Sequence, residues 1–371
     1  MTVDAMTGDA PEGTASDVLE SLGWDDDRDR AFEPERPRGL EPARIVAQHR
    51  GGWTVRTATG ELIVTLGGRL RFDATSASDL PAVGDWVALA ASQVQAVLPR
   101  RQALIRRAAD SDATEQVIAA NVETVVIVTS MNRDFNVRRL ERLVSVAWES
   151  AGAPVIVLSK ADLVDEAGVA AFRAQVKAVA PGVPVIAASV RTGLGLDELR
   201  AALPPRRTAA FIGSSGVGKS TLVNTLAGRE VIATAPIRED DGRGRHTTTG
   251  RELHVLPGGW LLLDTPGIRE VGLWATDEGL ERTFEDVAEL ARQCRFNDCQ
   301  HQQEPGCAVR AAIASGVLPV ARFEAHHKLE QELARVERAR DPRARAAEAR
   351  RWRTIQKSVN EHMTRKYGDD R

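Results

Sequence analysis

Three nucleotide-site signatures occur in this chain in an unusual order, and that order restricts the fold more than any other feature. Gly213-Ser214-Ser215-Gly216-Val217-Gly218-Lys219-Ser220-Thr221 contains the phosphate-loop pattern G-x-x-x-x-G-K-[ST]. Downstream lies Asp264-Thr265-Pro266-Gly267, a DxxG sequence of the kind that holds magnesium and a γ-phosphate. Upstream, rather than downstream, lies Ser159-Lys160-Ala161-Asp162, which reads as a guanine-recognition sequence. An ordinary guanine-nucleotide domain runs phosphate loop, DxxG, then NKxD. With the base-reading segment first, the chain reads as a circularly permuted α/β nucleotide domain.

Each segment has a physical reason for its residues. The apolar run Thr208–Ile212 precedes the phosphate loop, and a helix is expected over Lys219–Leu226. Its glycines let backbone N–H groups turn inward around a β-phosphate. Lys219 then reaches the β- and γ-phosphate oxygens, and Ser220 offers a hydroxyl to Mg2+. Asp264 ends another apolar run, where its carboxylate can hold Mg2+ through water while the Gly267 N–H meets the γ-phosphate. Asp162 can accept from guanine N1–H and N2–H2, a donor pair that adenine lacks, so GTP and GDP are expected over ATP. Lys160 is expected along the base plane. Ser159 stands where Asn is usual, and its shorter side chain predicts looser bracing. Ala188-Ser189, followed by Thr192–Leu199, is similar to a second base-contacting loop and its helix.

The segment Arg243-Gly244-Arg245-His246-Thr247-Thr248-Thr249 lies where switch I belongs. Thr248 is taken as the magnesium ligand, with Thr247 as the alternative. After DTPG comes Ile268, which has no polar atom to orient an attacking water. Slow intrinsic hydrolysis is expected, with another group supplied on activation. His246 is the nearest candidate; a loop histidine bonded only locally is the competing reading.

The three cysteines cluster at Cys294, Cys299 and Cys307, beside His301. Three thiols cannot all pair. Three thiolates and one imidazole complete a closed tetrahedral set suited to one structural Zn2+. Clustered thiols also fit a reducing cytoplasm. No apolar run is long enough for a transmembrane helix, and the acidic N-terminus is unlike a secretory signal.

Four regions are expected. Residues 1–39 carry Asp25-Asp26-Asp27, Asp29, Glu33 and Glu35 and read as an acidic disordered tail. Residues 40–107 read as about five short strands punctuated by glycine pairs, which suits an oligonucleotide-binding (OB) barrel or another small barrel. Residues 108–275 alternate apolar runs with helical stretches, as a parallel α/β sheet does. Residues 276–371 read as helices interrupted by the Cys/His cluster, with a long charged helix over 320–360. Its many arginines suit either a solvated face or nucleic acid.

Permuted order, GRHTTT, DTPG before a hydrophobic residue, and C-x4-C-x-H-x5-C together resemble the bacterial RsgA (YjeQ) family over residues 40–370. The resemblance implies an N-terminal OB barrel, a permuted GTPase and a zinc-bearing helical domain. It implies GTP hydrolysis in late maturation of the small ribosomal subunit, stimulated by that subunit, with rRNA bound through the flanking domains. GTP or GDP, Mg2+ and Zn2+ are the implied ligands of a monomeric, cytoplasmic protein away from membranes. A nucleotide-regulated RNA-binding assembly factor with negligible turnover is the alternative. A metabolic kinase is disfavoured, because no acceptor site is recognisable.

Overall fold

The computed structural model describes residues 15–107, 115–232, 251–264 and 277–340. They divide into two compact units, the first ending at Thr283 and the second starting at Phe284.

The chain begins with two short helices, α1 (Ala15–Ser21) and α2 (Asp26–Phe32), then a 3-10 turn over Glu33–Arg38. Acidity here does not mean disorder. Asp25 caps α2, accepting from the Arg28 N–H at 3.1 Å, and Asp26, Asp27 and Asp29 sit in the first turn, where the helix dipole favours them. Between the charges, Leu22 and Phe32 are fully buried, and Trp24 packs edge-on against Phe32 and Trp86. Burying a side chain of that size contributes about 1.5–3 kcal/mol. The expected disordered tail of residues 1–39 is therefore corrected over 15–38. A few apolar anchors are enough to dock it.

A five-stranded barrel follows: β1 (Glu41–His49), β2 (Gly52–Arg56), β3 (Glu61–Leu66), β4 (Trp86–Ala90) and β5 (Gln93–Val97). The short helix α3 (Gly68–Asp73) links β3 towards β4. Spatial order is β1-β2-β3-β5-β4, and β4 pairs back to β1. The β3–β5 pairing is parallel, the others antiparallel. That closed, partly Greek-key order decides for the OB-type barrel that strand spacing alone left open.

A hairpin not expected from the sequence comes next. Strands β6 (Ala103–Arg107) and β7 (Glu115–Ala120) pair only with each other. The α/β part then runs β8 (Thr124–Ser130), α4 (Val137–Glu149), β9 (Ala153–Ser159), α5 (Glu166–Val179), β10 (Val185–Ala187), α6 (Leu196–Ala201), β11 (Thr208–Ile212) and α7 (Lys219–Ala227). Strands β12 (Arg251–Val255) and β13 (Leu261–Asp264) and helix α8 (Asp277–Thr283) complete the unit. Spatial order is β10-β9-β8-β11-β13-β12, parallel except for the β12–β13 hairpin. Successive residues of β8 point to opposite faces, Val125 and Ile127 into one apolar cluster and Val126 and Val128 into another. The first of these clusters continues through the barrel to Leu22 and Phe32.

Barrel and α/β sheet are one continuous sheet rather than separate bodies. Ala47 and Gln48 of β1 pair with Glu252 and Arg251 of β12. Arg44 lies buried at the junction. Its guanidinium bonds the Leu22 carbonyl, the Gly84 carbonyl at 3.3 Å and Thr208 Oγ1 at 2.8 Å, and lies 5.4 Å over the Trp86 ring. Burial pushes its pKa down to about 10, which still leaves it charged at neutral pH. Head, barrel and phosphate-loop strand thus share one donor group. Arg28 adds bonds to the Pro99 carbonyl at 2.6 Å and Asn121 Oδ1 at 2.5 Å.

The division expected after residue 275 shifts to 283. Helix α8 packs on α4, with Ser145 Oγ 2.9 Å from Thr283 Oγ1 and Arg282 over the Trp148 ring at 5.1 Å. The second unit holds α9 (Glu285–Ala291), α10 (Ala308–Ala314) and α11 (Val320–Arg340). Arg322 binds both oxygens of Asp286 at 3.0 Å and lies 4.2 Å over the Phe284 ring, tying α11 to α9. No helix among the described residues is long and apolar enough to cross a membrane.

Candidate nucleotide site and metal centre

Parallel strands β9, β8, β11 and β13 end on one edge of the sheet, and every described signature except the Cys/His set hangs from that edge. From β11 the chain enters the phosphate loop at Gly213, with φ +142°. A Cβ there would lie 2.2 Å from the Val128 carbonyl, so the strand-to-loop turn requires glycine. The loop closes at Gly218, φ +95°, and α7 begins at Lys219. Thr221, in the first turn of α7, lines the cavity described below. Lys219 is buried, and its ammonium donates to the Gly213 carbonyl at 2.7 Å and the Ser214 carbonyl at 2.5 Å. Arg139, in the first turn of α4, reaches the same loop through Ser214 Oγ at 2.6 Å. Asp264 ends β13, which pairs with β11 through Ala210 and Leu263. Its carboxylate therefore starts from the strand next to the phosphate loop.

The Ser159-Lys160-Ala161-Asp162 segment, expected to read the base, leaves β9 at Ser159. Ser159 Oγ lies 2.6 Å from the Val217 carbonyl and 3.2 Å from the Thr129 carbonyl, and its single proton suits the shorter contact. The serine is short, yet it spans from the base loop to the phosphate loop. Lys160, at φ +59°, crosses to the Gly216 carbonyl at 2.7 Å. Ala161 donates its N–H to the Ala188 carbonyl at 3.1 Å. Asp162 is held by Ser189 Oγ at 2.6 Å on one oxygen and by Arg191 Nε at 2.8 Å on the other. The Ser189 bond comes first in holding its carboxyl below the usual range, against a smaller opposing effect of desolvation, with Arg191 adding to it. A cavity of about 330 Å3 opens here, walled by Lys160, Asp162, Ala188, Val190, Gly218 and Thr221 among others. Base loop and phosphate loop share it.

Sequence reasoning named Ala188 and Ser189 for the second loop. It missed Val190 and Arg191, which also wall the cavity. Counting back from Thr192-Gly193 would have reached them. Thr265, Pro266, Gly267 and Ile268 lie outside the described residues, as do the 243–249 segment with His246, Thr247 and Thr248 and the basic residues from 341 on.

The second unit gathers Cys294, Cys299, His301 and Cys307, with all four ligand atoms within 4.8 Å of one another. Cys294 Sγ lies 3.9 Å from Cys307 Sγ and 3.6 Å from His301 Nδ1, which is 3.4 Å from Cys307 Sγ. A tetrahedral ion with Zn–S of about 2.3 Å and Zn–N of about 2.0 Å has edges of about 3.8 Å and 3.5 Å. The donor set fits such an ion. Desolvation first, and then the Cys307 and Cys294 thiols beside it, push the Cys299 thiol up to about 11. A bound cation reverses that by favouring the thiolate. The turn between His301 and Cys307 is fixed by Glu304, whose carboxylate accepts the N–H groups of Gln300, Gln302 and Gln303 at 3.1, 2.8 and 3.0 Å. Glu304 was not singled out by sequence; a lone glutamate carries no spacing signal.

Residues 97–274 match the family described as RsgA GTPase. A small ribosomal subunit biogenesis GTPase RsgA from Opitutus terrae is 45% identical over 353 residues, covering 91% of this chain and 96% of that protein. The chain belongs to the RsgA GTPase family. Among solved structures, YjeQ from Thermotoga maritima is 26% identical with a TM-score of 0.60, covering 80% of this chain and 99% of that one. YloQ, described as a circularly permuted GTPase, shares the fold at 23% identity and a TM-score of 0.57, covering 80% of this chain and 95% of its own. Permutation in this RsgA family member is visible in the sheet: the strand bearing the base loop, β9, precedes the phosphate-loop strand β11 in the chain, with β8 between them in space.

Proposed function

We propose that this chain hydrolyses GTP to GDP and phosphate in late maturation of the small ribosomal subunit. The subunit stimulates turnover, and rRNA is contacted through the barrel and the helical unit. The protein works in the cytoplasm as a monomer. One observation carries the nucleotide reading: Asp162, Lys160 and the phosphate loop wall a single cavity. The ribosomal reading is supported by kinship with proteins named small ribosomal subunit biogenesis GTPases.

In this reading the guanine edge docks on Asp162, and Lys160 covers the base plane. Ser189 holds the Asp162 carboxylate in place for it. Lys219 exchanges two neutral carbonyls for β- and γ-phosphate oxygens, a gain because bonds between charged partners are about twice as strong. Residues 213–218 supply backbone donors to the phosphates. Ser220, Asp264 and Thr248 would hold Mg2+, which when bound offsets charge on the β- and γ-oxygens. Gly267 donates its N–H to the γ-phosphate, and His246 orients the attacking water when a partner is docked. Cys294, Cys299, His301 and Cys307 hold one structural Zn2+.

The test is GTP turnover with purified small subunits, large subunits and neither. Strong stimulation by small subunits alone is expected. Binding of GTP with no turnover under any condition points instead to a nucleotide-regulated RNA-binding factor. Equal turnover in all three overturns the ribosomal reading.

A further inference from the structure

The carboxylate expected to read guanine already holds a guanine-like partner. Arginine presents two parallel N–H donors on a planar fork, and guanine presents N1–H and N2–H2 in the same manner. Arg191 Nε sits 2.8 Å from Asp162 Oδ2. The arginine leaves the loop two residues after Ser189, whose hydroxyl grips Oδ1 at 2.6 Å. The Asp162 side chain is 13% exposed and the Arg191 side chain 75%. One partner is fixed in the cavity wall, while the other reaches in from water and can leave with little loss of packing. We infer that Arg191 is a latch on the guanine subsite: it occupies the nucleobase's place on Asp162 and must be displaced before the base can dock.

The inference rests on the reading of Asp162 as the guanine acceptor. Its physical content is competition. Affinity for guanine nucleotide is reduced by the fraction of empty sites in which the carboxylate is already taken. An exposed ion pair biases such an equilibrium by no more than about fivefold. The latch therefore tunes affinity without closing the site. It also keeps Asp162 Oδ2 paired when nucleotide departs. Salt screens the pair, and the competition should fade as ionic strength rises.

GDP titration and stopped-flow association of the full chain test this. Arg191→Ala should tighten GDP about twofold to fivefold at low salt, through a faster association rate, and the gain should disappear in ~1 M salt, where exposed charges are screened. Arg191→Lys, a point charge without the fork, should fall between. In an Asp162→Asn background Arg191→Ala should gain nothing, because the two residues act through one contact. Unchanged or weaker GDP binding by Arg191→Ala, while Asp162→Asn still weakens it, overturns the latch alone. Unchanged GDP binding by Asp162→Asn overturns the guanine reading beneath it.

Discussion

The nucleotide cradle and the Cys/His turn are both small ligand-holding loops, but different things keep them in shape. The cradle is the rim of a wide sheet with apolar clusters on both faces, and its first glycine, Gly213, lies against the Val128 carbonyl of β8. Its side chains already bond backbone carbonyls: Ser159 and Lys160 reach Val217 and Gly216 across the gap, and Lys219 reaches Gly213 within the phosphate loop. The Cys/His turn has short helices beside it and a modest buried set, including Phe284, Val287, Val309 and Leu318. With Zn2+ bound as proposed, four ligand atoms would do there what a sheet does for the cradle. Ligand loss should therefore empty the first site and dismantle the second.

The largest effect should come from breaking the metal set. Cys299→Ser, or chelation, should abolish the cooperative unfolding transition of residues 284–340, since a structural zinc contributes on the order of 10 kcal/mol to a domain of this kind. GDP affinity should stay within about twofold of the intact chain, as expected for an independent site. Calorimetry with parallel nucleotide titration checks both; loss of nucleotide binding along with the metal would erase the contrast.

Next is Asp162→Asn. It leaves a buried guanine donor without its acceptor and should weaken GTP by about 1–3 kcal/mol. The protein's melting temperature without nucleotide should barely move, and preference should turn towards a xanthine nucleotide, which carries an acceptor at the 2-position. A large drop in melting temperature would mean that the cradle, like the metal turn, depends on its ligand-holding residue for its fold.

Ser159→Ala should cost about 1 kcal/mol of GTP affinity, the worth of one hydrogen bond between the two loops. Ser159→Asn should match or exceed the unaltered chain. If Ser159→Ala binds GTP normally, the two loops are set by their strands alone.

The smallest effect concerns the head that fastens the first unit. Hydrogen bonding to Arg101 comes first in lowering the Asp25 carboxyl to about 2, from an ordinary 3.8. A depressed folded-state pKa stabilises above the unfolded value and is lost as pH falls through the folded one. Because Asp25 is more than a third exposed, solvent screening limits this to below about 1 kcal/mol. Asp25→Asn should lower the melting temperature slightly at pH 5, and the difference should shrink as pH falls through about 2 and close only below it. A difference that persists well below pH 2 would assign the effect to something other than ionisation of Asp25 beside Arg101.

The cradle was legible because its chemistry is backbone chemistry. Glycines at fixed spacing after an apolar run permit few conformations, and β11 has the termini that its apolar run predicts. The Cys/His turn was legible by ligand count. The head was not, because six acids between Asp25 and Glu35 outweigh Leu22 and Phe32 in any average, although those two are fully buried. The β6–β7 hairpin was missed because a polar stretch separates its halves. Ser159 was read by length alone, whereas its reach depends on how near the Val217 carbonyl lies, and that is a tertiary distance.

Strand β1 has a consequence for colloidal behaviour. One of its edges is divided: Glu41–Arg44 closes the barrel on β4, and Ala47–Gln48 receives β12. An open parallel sheet would offer β12 as a free row of amide donors and acceptors, a template for another chain. Here β1 pairs with the first two residues of that row, Arg251 and Glu252, and the barrel then closes on itself. At the far end of the same sheet, the outermost strand is β10, only Val185–Ala187 long. The main sheet is thus guarded against edge-to-edge growth at both ends. Shortening the chain to its nucleotide-binding part would uncover β12, and such a fragment should aggregate where the whole chain stays dispersed.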